Sequence, residues 1–361
     1  MKTWAKQKLG DILTLQRGFD ITKSQQKPGN YSVISSSGFQ STNSEYKVNG
    51  PGVVIGRKGT LGKVFYSNEN FWPHDTTLWV KDFHGNDPKF AYYFFKIQHF
   101  ENFDAGAANP TLNRNHLHTL LVNYPLLADQ EAISSILSSY DELIENNEKR
   151  INLLEEVAQR LYIEWFVKFK FPRHEKVKIV DDTPEKWDKK RLGDFIEIKK
   201  GRNITKDTSV AGNVPVIAGG INPAYYHNTP NVHGPVVTIS ASGANAGYLN
   251  LYFMDIWASD CSYISKDSTR YLFFCYLLLS NNIQQINNLQ KGAAQPHVYP
   301  KDLMDLKVTI PSNELLSKFE EKVTPIFELV NNLKKNNLIL ASIRDLLIPQ
   351  LITGKRDIKV L

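Results

Sequence analysis

From Ala128 to Phe169 the chain contains neither Gly nor Pro, and its apolar residues recur every seven positions. Read as a helix, the stretch is about 42 residues and roughly 63 Å long at 1.5 Å per residue, several times an ordinary globular helix. Leu137, Ile144, Ile151, Ala158 and Trp165 form one column of the repeat, and Ile133, Tyr140, Asn147, Leu154 and Leu161 the other. A sustained seam of this kind is the mark of a coiled coil. A solitary helix would leave it exposed, so the chain must provide or recruit a partner.

The same pattern returns between about Asn313 and Gly354, with Val323, Val330, Asn337, Arg344 and Leu351 in one column and Phe319, Ile326, Leu333, Leu340 and Leu347 in the other. In a parallel register Asn147 would face Leu333 and lose its hydrogen-bond partner, at about 1–3 kcal/mol. In an antiparallel register whose facing positions sum to 484, Asn147 faces Asn337, Tyr140 faces Arg344 and Trp165 faces Phe319. The seam then predicts an antiparallel coiled coil with a polar pair at its middle. Pro325 and Pro349 remove helix hydrogen bonds, and a bend near Pro325 is expected.

A chain of 361 residues is long enough for two or three cores. Its net charge of +6 favours an anionic partner such as nucleic acid without requiring one. The first residues have no apolar signal core and no run approaches a membrane span, so a cytoplasmic location is expected. Cys261 and Cys275 have neither disulfide-framework nor zinc spacing, and read as reduced structural thiols.

Most of the remaining chain is a duplication. At an offset of 183, Trp4-x4-Leu9-Gly10-Asp11 returns as Trp187-x4-Leu192-Gly193-Asp194, and Gly18-x2-Ile21-Thr22 as Gly201-x2-Ile204-Thr205. The offset drifts to 185 at Trp72-x2-Asp75 against Trp257-x2-Asp260, and to 186 at Gly106-Ala107-Ala108-x-Pro110 against Gly292-Ala293-Ala294-x-Pro296. Slow drift is what two copies of one fold with variable loops produce. Each copy is expected to be mixed α/β. Gly10 to Leu15, Val53 to Ile55, Val64 to Tyr66 and Thr77 to Val80 read as strands, Pro88 to Phe100 as a buried helix, and Leu120 to Tyr124 as a last strand. The expected boundaries are 1–127 and 187–312 for the globular copies, 128–170 and 313–361 for the helices, and 171–186 for a linker.

On the paired Leu-Gly-Asp starts, the Gly-Ala-Ala-x-Pro segments, Pro125-Leu126-Leu127-Ala128-Asp129-Gln130-Glu131 and the Trp165-Phe166-Val167-Lys168-Phe169 helix end, the chain resembles the specificity subunit of type I restriction-modification systems. The resemblance spans essentially the whole chain. It differs in the second copy, where Pro311-Ser312-Asn313-Glu314 replaces the longer motif. The resemblance implies an α/β (α+β) protein of two similar mixed α/β target-recognition domains, separated by two long helices in an antiparallel, pseudo-two-fold coiled coil. It implies that each domain reads half of a bipartite gapped site on double-stranded DNA. The helices would dock methyltransferase (modification) subunits, two of them, and restriction/translocase subunits. Those partners would use S-adenosylmethionine, ATP and Mg2+, and this chain would hold no cofactor, metal or catalytic residue.

Phosphate contacts give DNA affinity and base edges give sequence, so a reader needs cations beside loop-borne polar groups. Gly56-Arg57-Lys58-Gly59-Thr60-Leu61-Gly62-Lys63 fits that need through Arg57, Lys58, Thr60 and Lys63, although a plain basic hairpin would look the same. Its counterpart, Ile239 to Gly247, offers Ser240, Ser242 and Asn245 and no cation. His74, Asp75 and Thr76 stand against Asp260, Cys261 and Ser262, where either aspartate could serve only to cap a turn. Near the end of each copy, Asn109, Asn113, Arg114, Asn115 and His116 stand against Gln295, His297, Tyr299 and Lys301. Arg17, Lys200 and Arg202 are candidate phosphate contacts. Asn222-Pro223-Ala224-Tyr225 is a poor match to an amino-methyltransferase motif, and no Walker sequence occurs. His116-x-His118 reads as a strand pair. The competing readings are a stand-alone amino-methyltransferase and a scaffold for something other than DNA.

Overall fold

The computed structural model describes residues 4–103, 111–292 and 295–356. The chain forms two compact units, Met1–Asn146 with Asn336–Leu361, and Asn147–Lys335. In chain order the first contains β1 (Ala5–Lys8), α1 (Leu9–Ile12), β2 (Thr14–Arg17), β3 (Tyr31–Ser35), β4 (Gly38–Asn43), β5 (Gly52–Gly56), β6 (Val64–Ser67), β7 (Phe71–Pro73), β8 (Thr77–Asp82), α2 (Pro88–Lys96), α3 (Arg114–His118) and β9 (Leu121–Tyr124). The long helix α4 (Leu127–Tyr162) follows. The second unit contains β10 (Ile179–Val180), β11 (Thr183–Pro184), β12 (Asp188–Arg191), β13 (Lys199–Lys200), β14 (Val214–Ile217), β15 (Tyr225–His227), β16 (Val236–Ser240), β17 (Leu249–Tyr252), β18 (Trp257–Ala258) and β19 (Cys261–Ser265). Then come α5 (Leu272–Asn281), α6 (Ile283–Asn288), α7 (Pro300–Met304), β20 (Lys307–Ile310) and α8 (Asn313–Ile352).

The repeat in sequence is a repeat in topology. The first unit has a sheet ordered β2-β8-β5-β6, a sheet ordered β4-β3-β7 and the pair β1-β9, and the second has β13-β19-β16-β17, β15-β14-β18 and β12-β20. In each three-stranded sheet one pairing is parallel, β3 with β7 and β14 with β18. The first and last strands of each copy close on each other, so the chain leaves the globular part beside the point where it entered.

The central strands β5 and β16 are buried along their whole length, which explains their continuous rather than alternating apolar character. Helix α2 starts where Asp87 accepts a hydrogen bond from Phe90 N, with Pro88 in the first turn, and it buries Phe90, Tyr93, Phe94 and Phe95. Helix α5 is apolar all round and has no local cap. Glu320 of α8 substitutes, accepting from Phe273 N at 2.9 Å and Phe274 N at 3.0 Å.

The two long helices pack antiparallel within each unit. In the first, Ile133 and Leu137 share a core with Leu347 and Leu351. In the second, Ile151 packs with Val330 and Leu333, and the Trp165 and Phe319 rings lie 5.6 Å apart. Ile133 with Leu351, Leu137 with Leu347, Ile151 with Leu333 and Trp165 with Phe319 obey the sum of 484. Arg344, expected against Tyr140, instead forms an ion pair with the neighbouring Asp141, whose second oxygen accepts from Tyr93 Oη. A half-buried guanidinium gains more from a carboxylate than from a ring. Asn337 donates to Ile144 O at 3.3 Å, and Asn147 is buried.

Three local expectations are corrected. Gly10 to Ile12 belong to a helical turn, with β2 beginning only at Thr14. The seam's helix ends in a π turn over Ile163–Val167, before Phe169, whose φ is +58°. His116 and His118 lie on α3, not on a strand, and His118 Nε2 accepts from Leu15 N at 2.9 Å. The 171–186 linker carries the small β10–β11 hairpin. Helix α8 runs through Pro325 and Pro349 as one element, with buried Val323 and Phe327 flanking the first.

Candidate nucleic-acid interface

In the first unit the two ends of one sheet position the basic groups. Arg17 closes β2, and Arg57 follows the buried β5. Arg57 is pinned through its backbone, with its N donating to Thr76 O at 2.9 Å and its O accepting from Leu112 N at 3.0 Å. The loop that follows doubles back through Gly56 N to Lys63 O at 2.7 Å and Gly62 N to Gly56 O at 2.9 Å. Gly59 and Gly62 sit at φ of +82° and +71°, and a Cβ on Gly56 would lie 2.1 Å from Thr60 O. The loop is therefore built backbone, with Lys58 and Lys63 exposed on it.

Asp75 organises the two arginines. Its Oδ2 pairs with Arg17 Nη2 at 2.8 Å, and its carbonyl accepts from Arg57 Nη1 at 3.3 Å. Burial, helped by the positive Arg17, lowers the Arg57 pKa, and Asp75 opposes that shift. Arg17 and Arg57 line a pocket of about 470 Å³ together with Leu78, Thr111, Leu112, Asn113, Arg114 and Asn115. Five candidates separated by as many as 98 positions thus converge, three of them guanidinium groups. Asp75 caps no turn here; it is an ion-pair partner.

Other candidates have structural duties. Asn113 accepts from Asn115 N at 2.9 Å as the N-cap of α3. Thr76 Oγ1 is 3.0 Å from His74 Nδ1 and accepts from Ser36 N at 3.2 Å, which locks the turn before β8. Thr60 is half-buried, and His116 is exposed on α3. Asn109 lies outside the described residues. One oxygen or nitrogen from each of Asp20, His74 and Asp75 lies within 4.8 Å of the others. Arg17 already supplies the positive charge at that cluster.

The second unit repeats the frame with different side chains. Lys58 bridges Thr111 as Ser242 bridges His297, and Val298 N donates to Ala241 O at 3.0 Å as Leu112 N does to Arg57 O. Trp72 Nε1 donates to Phe19 O at 3.1 Å, and Trp257 Nε1 to Arg202 O at 2.8 Å. Where the first unit places Arg57 the second places Ala241, and Ser242 Oγ donates to Asp260. Lys200 is exposed at the end of β13, with no ion pair among the described residues. Arg202 lies over the Trp257 ring. His297 and Tyr299 stack at 5.9 Å, Tyr299 being exposed, as are Gln295 and Lys301. Asn245 is half-buried, and its carbonyl accepts from Tyr248 N at 2.9 Å. Ser240 has no access to a ligand: it is 4% exposed and donates to Gly219 O. Its place on the last turn of a buried strand was not visible in the loop-like composition around it.

Asn222-Pro223-Ala224-Tyr225 is held by the chain around it. Ala224 N donates to Val216 O at 2.9 Å and Tyr225 Oη to Ile204 O at 2.5 Å, so the stretch leads into β15. Cys261 and Cys275 are free and buried, and burial pushes the Cys261 thiol up to about 12. Among the described residues no helix is long and apolar enough to cross a membrane.

Sequence reading missed Thr111, Leu112 and Leu78, the wall and floor of the first pocket. No local signal marks them, since their role depends on a bridge to Lys58 across 53 positions.

Comparison with known proteins matches this doubled architecture. The chain is 26% identical over 302 residues to the type I restriction enzyme MjaIX specificity subunit of Methanocaldococcus jannaschii, covering 76% of this chain and 70% of that protein. It is 25% identical to a putative type I specificity subunit of Mycoplasma pneumoniae, covering 96% of both. The crystal structure of the type I restriction-modification system S subunit from M. genitalium superposes with a TM-score of 0.67 over 96% of both chains at 20% identity, a likeness of fold. The family model described as the type I restriction modification DNA specificity domain matches residues 1–156 and again 184–338, once for each repeat. A chain that matches this model twice, folds twice into the same sheets and joins them through long seamed helices belongs to the type I restriction-modification DNA specificity family.

Proposed function

We propose that this chain is the DNA-reading, non-catalytic subunit of a type I restriction-modification complex, with each repeat reading one half of a bipartite, gapped site. The observation that carries the reading is the shared frame with exchanged chemistry. The position after the buried central strand holds Arg57 in one repeat and Ala241 in the other, anchored by the same backbone bond. Two copies of one frame with unlike side chains suit two different half-sites, because base edges are told apart by their donors and acceptors. The cations around each frame, Arg17, Lys58, Lys63 and Arg114 in one and Lys200, Arg202 and Lys301 in the other, would supply phosphate contacts.

The antiparallel helices would carry the modification subunits, two per chain, and the restriction/translocase subunits. S-adenosylmethionine, ATP and Mg2+ would be bound by those partners, in the cytoplasm where they meet DNA. The exposed faces of α4 and α8 support docking, since they leave Leu143, Leu153, Val157, Leu338, Ile339 and Leu346 uncovered.

The test is to express the chain with and without its modification subunit and incubate each preparation with labelled S-adenosylmethionine and a mixed DNA library. Methylation at a gapped motif only when both are present is expected. Methylation by this chain alone would overturn the non-catalytic assignment, and an ungapped motif would overturn the two-reader assignment.

A further inference from the structure

We infer that Arg57 reads a guanine in the half-site of the first repeat, with Asp75 as the residue that positions it. The inference rests on the DNA-reading function proposed above and specifies one base of it.

Arg57 is held unlike a phosphate contact. Its backbone is fixed on both sides by Thr76 and Leu112, and Asp75 O takes one guanidinium N–H at 3.3 Å. Lys58 and Lys63 are exposed on a loop, as phosphate contacts usually are, whereas Arg57 is half-buried over Leu78 and Leu112. A guanidinium with one donor committed keeps a fork of further donors, and in this pocket the neighbouring charges are Arg17 and Arg114 rather than a free carboxylate. Asp75 is already paired with Arg17. Among the described residues the charged side chains lining the pocket are three guanidinium groups, with the amide groups of Asn113 and Asn115 beside them, so the pocket carries an excess of donors.

In the major groove only guanine presents two adjacent acceptors, O6 and N7. Adenine pairs an acceptor with an amino donor, cytosine shows a donor, and thymine an acceptor beside a methyl group. The fork of Arg57 matches guanine and repels the amino groups of adenine and cytosine. In the second repeat Ala241 occupies the same frame position, and the nearby Asp260 oxygen accepts from Ser242, so this guanine requirement belongs to one half of the site only.

The experiment is selection of bound duplexes from a randomised library by the full chain, for the wild type, Arg57→Ala and Arg57→Lys, with affinities measured across a salt series. Expected is one guanine position in one half-site whose preference falls about ten- to a hundredfold in both variants. The other half-site should be unchanged, which also reports that the variant folds. Arg57→Lys keeps the charge but not the fork, so its salt slope should match the wild type. If Arg57→Ala loses both halves through misfolding, Arg57→Lys decides by the same criterion. An unaltered motif in both variants overturns the inference. So does a uniform loss of affinity with a salt slope reduced by about 0.9 in Arg57→Ala, which would make Arg57 a phosphate contact and leave the DNA-reading function standing. A wild type with no sequence preference would overturn the function itself.

Discussion

Gly56, Asp75 and Glu320 show how far single residues set this structure. A Cβ at Gly56 would meet Thr60 O at 2.1 Å, so Gly56→Ala must open the basic loop. A loss of about 1–3 kcal/mol in denaturant unfolding is expected. Glu320 caps α5 from another element, and burial raises its pKa to about 6 against its backbone hydrogen bonds. A carboxyl whose folded pKa is raised binds more protons folded than unfolded. Its contribution favours folding below its ordinary pKa of 4.5 and is lost as pH rises through about 6. Wild type should therefore lose about 2 kcal/mol in all relative to Glu320→Gln as pH rises from below 4.5 to above 6, measured by parallel urea titrations. Equal pH profiles would show that the carboxyl titrates normally. The candidate residues were legible as types, since Arg and Asn near glycine turns suit DNA, but their duties were not. Asn113 caps its own short helix through Asn115, while Thr76 and Ser240 are spent on locking a turn and filling a buried strand, uses fixed by partners far away in sequence.

The helices α4 and α8 were the most legible elements, because a seven-residue period survives any detail of loop or partner. Their antiparallel sense followed from matching interruptions, and the sum of 484 holds at Trp165 with Phe319 and at Ile151 with Leu333. What the period could not show is where charge overrides it. Asp141 lies outside both columns, yet it captures Arg344 and Tyr93. Asp141→Ala should cost about 1.5–3 kcal/mol, because a half-buried guanidinium and a buried hydroxyl lose their charged partner together. Phe319 is fully buried among Tyr162, Trp165, Phe166 and Phe274, and Phe319→Ala should cost about 3–5 kcal/mol in thermal or urea unfolding. A cost below 1 kcal/mol would mean the seam relaxes freely around it. The short elements were less legible. Gly10 to Leu15 read as a strand because its four consecutive apolar or β-branched residues, Ile12 to Leu15, mask the end of a four-residue helix.

At the scale of the whole molecule the duplication is the main result, because it turns a list of weak site residues into a comparison. Several positions in one unit have a structural counterpart in the other, and the frame is constant where the side chains change: Lys58 with Thr111 against Ser242 with His297, and Trp72 over Phe19 O against Trp257 over Arg202 O. Sequence exposed the repeat through drifting offsets, but only the sheets show that Arg57 and Ala241 are equivalent. The central claim, that the repeats are separate readers of two half-sites, is tested most directly by replacing residues 1–127 with the same region of another specificity subunit. The modified motif is then mapped by methylation-sensitive sequencing in cells that also carry the modification subunit. One half of the gapped motif should change and the other remain, and a swap that alters both halves would contradict the account.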